Sequence, residues 1–396
     1  GMRGANDDGR AVRGAGTMQR RAMRIWVAVV LAGVICLAAW PYVRWHLQAM
    51  AVLRLVGGQQ VPRVVRELVM VPVRSEEVHF STGAGAVRGR IYLPQGKPDA
   101  PGLVVLHGVH YLGIDEPRLM SFARSMASCG LRVLTPELPG IKDYHVDVGS
   151  VGVIGGSAAW FAQRTGRPVG VMGLSFSGGL ALVAASEATY RKDFKFVFAV
   201  GAHDSMARVA NYYLTGQDAR PNGKVERLKP NDYGALVLEY EHLGDLVAPQ
   251  DEAAIGAVLR EHLYEDASAE TAAEARLTAA QRAEAMQLMN TDSATTSEEL
   301  ATDDARYAAQ MAAVSPEGKM KTMTTPVFLL AGQADDVVPS AETRWIASEL
   351  PRKTLKAVLV SPVLSHVSLD EAKPGPGDEW RLVHFFAEVM QAAERN

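Results

Sequence analysis

A serine acts as a nucleophile only when its hydroxyl is held out toward a substrate and a base can take its proton. Ser175 stands where the first condition can be met. The run Val169-Gly170-Val171-Met172-Gly173-Leu174 reads as a buried strand that breaks at Gly173, and small residues after Phe176 lead into the helix-like Ala181-Leu182-Val183-Ala184-Ala185. A strand turning sharply into a helix puts the serine at the apex, and the expected conformation there is strained, with positive φ. Taken by itself, the stretch also fits a glycine-rich strand–helix turn of another α/β protein.

A base and an orienting acid should lie on loops after later strands. After the apolar run ending at Gly332 come Gln333-Ala334-Asp335-Asp336-Val337-Val338-Pro339, and after the run ending at Val360 come Ser361-Pro362-Val363-Leu364-Ser365-His366-Val367. The order Ser175, Asp335, His366 is that of one particular hydrolase fold. The spacing from Gly332 and to Pro339 favours Asp335 over its neighbour Asp336, and Asp204, after an earlier strand, is a third candidate for the acid.

The elements that must position these residues follow a clear rhythm. Residues 78–82 and 87–93 alternate around a glycine-containing turn, which predicts an antiparallel hairpin. Continuous apolar runs at 103–106, 131–134, 169–174, 194–200, 326–332 and 355–360, separated by helix-like stretches, predict a mostly parallel sheet covered on both faces. That rhythm stops near Asp204 and resumes at Pro326. Within the gap, Glu261 to Arg306 holds 11 acidic residues against 3 Arg, a solvated face unsuited to anionic lipid or nucleic acid. An insertion between two strands reads as a helical cap or lid over the active edge, or else as a structural appendage.

The resulting division is a disordered basic tail (1–24), a transmembrane anchor or signal (25–43), a juxtamembrane segment (44–76), an α/β core (77–203 and 321–396) and a helical cap (204–320). Residues 25–43 carry no charge and are just long enough to span a bilayer. Trp26, Trp40, Tyr42 and Trp45 fall near the ends of that stretch, and Arg20, Arg21 and Arg24 precede it. This pattern predicts an uncleaved anchor, with the catalytic domain on the exported, periplasmic or extracellular side. A cleaved signal peptide is the alternative, although Leu37-Ala38-Ala39 is a poor cleavage site.

Composition excludes several classes. A net charge of −3 gives no electrostatic case for nucleic acid. Two cysteines, Cys36 and Cys129, support neither a disulfide framework nor a zinc site. His145 and His203 have no partners at metal-ligand spacing and read as structural, as does His107. No P-loop or dinucleotide fingerprint occurs, and the chemistry requires no cofactor.

From about residue 77 onward the chain resembles the α/β-hydrolases that carry an inserted cap, the esterase- and lipase-like serine hydrolases. The resemblance rests on His107-Gly108, Gly173-Leu174-Ser175-Phe176-Ser177-Gly178, Gly332-Gln333-Ala334-Asp335 through Pro339, and Ser365-His366-Val367. It implies Ser175 as nucleophile, His366 as general base and then acid, and Asp335 as orienting carboxylate. The implied oxyanion donors are the backbone N–H groups of Phe176 and of Val109. His110, Tyr111 and Asp115 follow the oxyanion segment and are candidates to line the pocket. The chain departs from the family pattern at Ser177, where the motif's last glycine should stand. The expected activity is cleavage of an ester or thioester through an acyl-enzyme, on a small-molecule or lipid-like acyl substrate. Acyl transfer or peptidase activity on the same triad is the alternative, as is a non-catalytic binding protein of the same fold.

Overall fold

The structure, a computed structural model, describes residues 8–290, 306–365 and 375–395. It begins with helix α1 (Asp8–Val56) and a short α2 (Arg63–Val69), followed by the hairpin β1 (Val73–Thr82) and β2 (Gly85–Pro94). Next come β3 (Gly102–Leu106), α3 (Pro117–Ser128), β4 (Arg132–Pro136), α4 (Pro139–Lys142), α5 (Val148–Thr165), β5 (Val169–Leu174), α6 (Phe176–Ser186) and β6 (Phe194–Val200). The long gap in the rhythm holds α7 (Met206–Thr215), the small hairpin β7 (Gln217–Ala219) and β8 (Val225–Arg227), and α8 to α12 (Asp232–Glu241, Leu243–Leu246, Glu252–Leu263, Ala267–Glu274 and Ala279–Leu288). Helix α13 (Ala308–Val314) ends it; then β9 (Val327–Gly332), α14 (Ser340–Glu349), β10 (Leu355–Ser361) and α15 (Pro376–Glu394) complete the fold.

Eight strands form one sheet in the order β1-β2-β4-β3-β5-β6-β9-β10. The first two pairings, β1 with β2 and β2 with β4, are antiparallel, and every later one is parallel. Strands β3 and β9 are buried along their whole length, as continuous apolar runs covered on both faces must be. Helices α5 and α6 cover one face, and α3 and α15 cover the other. On the second face Phe385 and Phe386 of α15 pack on Phe198 of β6, with ring centroids 5.5 and 5.4 Å apart. Burying each such side chain contributes about 1.5–3 kcal/mol. All the parallel strands therefore deliver their carboxyl ends, and the loops after them, to one edge of the sheet.

Helix α1 has two parts. Up to Val43 its described apolar side chains are exposed, Trp26 at 71% and Leu37 at 76%. From Trp45 onward it is docked: Trp45, Ala49 and Val52 pack into the cluster formed by α3 and α15. Gln48 Nε2 donates to the Cys129 carbonyl at 2.6 Å, and Trp45 Nε1 donates to Glu394 at 2.8 Å. The segment after residue 43, unreadable in sequence, thus begins as part of the folded domain. The helix also reaches back to Asp8, through residues expected to lack structure, where Ala and Arg favour helix. Its portion Val29–Val56, with mean hydropathy 1.3, is long and apolar enough to cross a membrane or to serve as a signal sequence.

Candidate active site

Ser175 sits between the last residue of β5 and the first of α6 with φ 56° and ψ −134°. Among the described residues only Tyr144, Ser175 and Glu265 combine a side chain with positive φ. Such conformations persist where packing over-determines them, and here the cause is visible. The Ser175 N–H donates to the Val200 carbonyl on β6 at 2.8 Å, and the Ser175 carbonyl accepts from the Gly178 N–H at 2.8 Å. Gly173 makes the turn possible: a Cβ there would lie 2.5 Å from the Ser177 carbonyl oxygen and 2.6 Å from the Gly178 backbone. Strand and helix touch backbone to backbone at this point.

The departure at Ser177 has a structural use. Its buried hydroxyl donates to the His107 carbonyl at 2.5 Å, tying the turn to the loop after β3. That loop runs alongside the serine, since a Cβ on Gly108 would stand 3.7 Å from Ser175 Cβ. His107 holds the loop's other side: Nε2 accepts the Leu138 N–H at 2.9 Å, so Nδ1 carries the proton it donates to the Gly108 carbonyl at 2.8 Å. Burial pushes the His107 pKa down to about 4, and the same cause takes His203 to about 4. Both are neutral, hydrogen-bonded struts near pH 7. His203 Nε2 donates to the Val314 carbonyl at 3.0 Å, and His145 Nδ1 lies 2.5 Å from the Asp143 carbonyl. Among the described residues no group of His, Cys, Asp or Glu is arranged to hold a metal ion.

Val109, the next residue of this loop, is partly buried, and its carbonyl accepts the Tyr233 hydroxyl at 3.1 Å. Phe176 opens α6, and the first N–H groups of a helix have no intrahelical acceptor.

Asp335 is buried at the end of β9, where Oδ1 accepts the N–H groups of Val337 and Val338 at 3.1 and 2.8 Å. Asp336 faces elsewhere. Its carbonyl accepts from the Asn231 N–H and the Tyr212 hydroxyl, and among the described residues its side chain reaches only Asn231 at 3.4 Å. Asp204 is fully buried and pairs with Arg208 at 2.8 Å, while its N–H donates to Glu342 at 2.8 Å. Burial and the neighbouring Glu342 push its pKa up to about 7. His366 lies outside the described residues. The chain leading to it is placed, because a Cβ on Gly332 would come within 1.6 Å of the Ser365 carbonyl oxygen. The last residue of β9, three before Asp335, therefore abuts the residue just before His366.

Next to the loop after β3 stands an aromatic wall. The rings of His110 and Tyr111 stack at 4.9 Å, Tyr111 stacks on Tyr264 at 4.7 Å, and Tyr144 lies 5.6 Å from Tyr264 and 5.9 Å from Tyr233. The other two strained residues, Tyr144 and Glu265, belong to this region. Tyr233 and Glu265 also line a cavity of about 280 Å³ that includes Asp232 and Glu270. Asp115 is not part of the wall, since its carboxylate is held by Arg88 at 2.8 Å and Arg90 at 2.7 Å. The tyrosines of the insertion escaped sequence reasoning; the Tyr212-Tyr213 pair, among mostly small and charged residues, was the available signal. Tyr213 donates to the Val337 carbonyl at 2.9 Å, so the insertion bonds the loop after β9 as well as the loop after β3.

Strand order, parallel pairing and the strained serine at a strand–helix turn define an α/β-hydrolase. Residues 158–363, more than half of the chain, match the family described as X-Pro dipeptidyl-peptidase (S15 family), and the chain belongs to that family. It is a hydrolase with the serine hydrolase fold of the esterase, lipase and peptidase type. No curated protein matches it. Similar solved structures include an esterase from Pyrobaculum calidifontis (14% identity, 88% of this chain and 90% of that one, TM-score 0.45). Others are the esterase domain of a Rhodothermus marinus protein (15%, 81% and 97%, 0.42) and the acylaminoacyl peptidase of Pyrococcus horikoshii (12%, 83% and 42%, 0.46). Likeness at this level carries no role over to any residue here.

Proposed function

We propose that the chain hydrolyses an ester or thioester through an acyl-enzyme on Ser175, with His366 as base and Asp335 as the carboxylate orienting it. Val109 and Phe176 N–H groups receive the oxyanion of the tetrahedral intermediate. The observation that carries this reading is the positive φ of Ser175 on a turn bonded to both β6 and the Gly108 loop. The aromatic wall suits an apolar acyl group, with His110 and Tyr111 at its start. The helical segment 204–320 acts as a cap and also as a brace, gripping both loops through Tyr233, Tyr212 and Tyr213. The apolar part of α1 anchors the enzyme to a membrane, with the catalytic domain on the exported side, a reading supported by the arginines that precede it.

Peptidase activity is the second reading, supported by the family. A peptidase that takes a free N-terminus must hold an ammonium, and the cavity with Asp232, Glu265 and Glu270 offers carboxylates beside Tyr233. Hydrolysis of p-nitrophenyl esters of increasing chain length, set against Xaa-Pro p-nitroanilides, separates the two. We expect esters to be turned over at least a hundredfold faster in kcat/KM; the reverse ratio replaces the first reading by the second.

The brace is testable by itself. Tyr233→Phe removes the hydrogen bond to the Val109 carbonyl, together with the hydroxyl's interaction with Tyr144, and keeps the ring; the lost bond to Val109 is about 1 kcal/mol in positioning and so roughly fivefold in rate. The loss should fall on kcat with KM nearly constant. An unchanged kcat means that Val109 is held without Tyr233 or gives nothing to the transition state.

A further inference from the structure

At the edge of the sheet opposite Ser175 lies a cavity of about 620 Å³ lined by Arg74, Lys97, Arg132 and Arg164, with no carboxylate in its lining. Arg132 opens β4, which runs parallel to β3, as β3 does to β5. The cavity and the serine are therefore separated by a strand's length, roughly 17–20 Å. Such a volume is that of a small-molecule site.

The cations are poorly compensated. Arg132 is half-buried and fixed by carbonyls alone: Nε donates to Ala100 at 2.7 Å and Nη2 to Thr165 at 3.3 Å. Burial and then the nearby Arg167 lower its pKa, with Asp99 as the opposing charge. Among the described residues no carboxylate lies within ion-pair distance of Arg132 or Lys97. Arg74 and Arg164 share one acid, Glu76, each at 3.8 Å. Grouping like charges this way costs energy that a bound anion would recover. Apart from Gln95 the remaining lining is apolar, and it includes the buried Phe161 and Ile91.

We propose that this cavity is a second binding site, for an amphiphilic anion with a phosphate head on an apolar body. Guanidinium groups pair with phosphate oxygens in a forked geometry, and the Phe161–Ile91 floor takes the first carbons of the body. Its position beside the docked part of α1 points to a lipid headgroup. Lys97 lies over Gly130, where a Cβ would be 2.6 Å from Nζ, and the adjacent Cys129 is bonded to Gln48 of α1.

Calorimetric titration of the full chain in neutral detergent with dihexanoylphosphatidic acid tests the proposal, with inorganic phosphate as comparison. Saturable one-to-one binding is expected, at least tenfold weaker for inorganic phosphate and at least tenfold weaker in Lys97→Gln and Arg132→Gln. Ester hydrolysis in the absence of the ligand should stay at the wild-type rate. Because Arg132 also holds two carbonyls, Lys97→Gln, which breaks no hydrogen bond, stands as the independent variant. Equal binding by wild type and Lys97→Gln, or inorganic phosphate binding as tightly as the amphiphile, overturns the proposal. A second arm places the chain in lipid nanodiscs. Long-chain phosphatidic acid in the disc that blocks the soluble ligand makes the bilayer the source, and failure to block makes it a soluble phosphate ester.

Discussion

Ser175→Ala is expected to abolish labelling by a fluorophosphonate and to lower kcat by roughly a million-fold, as removal of a triad nucleophile does. The side chain's own contribution to the fold is small. Ala keeps the Cβ, both residues bear the same strain at φ 56°, and the backbone bonds to Val200 and Gly178 do not involve the hydroxyl. The melting temperature should therefore stay within a few degrees of wild type. Ser177→Ala is the informative contrast. It removes the bond to the His107 carbonyl and so loosens the loop after β3, yet leaves Ser175 in place. It should still label, more slowly. Labelling that survives Ser175→Ala and disappears in Ser177→Ala would move the nucleophile two residues along the helix.

The contrast between these serines shows where sequence reasoning works. Buried parallel strands are written as unbroken apolar runs, so β3, β5, β6 and β9 could be placed from pattern alone, and with them the loops that carry the chemistry. The strain at Ser175 follows from glycine and small residues at contact points, which sequence also displays. Ser177 stood out as an irregularity, but its purpose depends on a carbonyl 70 residues away, which no local pattern encodes. The same holds for the insertion. Tyr233, Tyr212 and Tyr213 reach the carbonyls of Val109, Asp336 and Val337 across more than a hundred residues. Helix α1 shows the converse limit: its apolar run was legible, while its docking against α3 and α15 depends on residues at the far end of the chain.

Three aspartates were candidates for the acid, and their environments predict very different outcomes. Asp335→Asn should lower kcat by about 10⁴-fold, because an amide cannot hold the imidazole in the tautomer that accepts the serine proton. The backbone N–H groups of Val337 and Val338 both bond Asp335 Oδ1, and an amide oxygen can accept the same two bonds. The loop should keep its shape, so the loss is chemical. Among the described residues Asp336→Asn changes only a 3.4 Å contact with Asn231, since the bonds that fasten the insertion use the Asp336 carbonyl, and kcat should fall less than tenfold. Asp204→Asn is expected to be similarly mild. With its pKa pushed up to about 7, the Asp204 carboxyl is partly protonated near neutrality, and the amide resembles that neutral form. Arg208 meanwhile keeps Glu342 at 2.6 Å. Circular dichroism on each variant separates folding from catalysis. A 10⁴-fold loss in Asp204→Asn with normal folding, beside a mild Asp335→Asn, would transfer the orienting role to the end of β6.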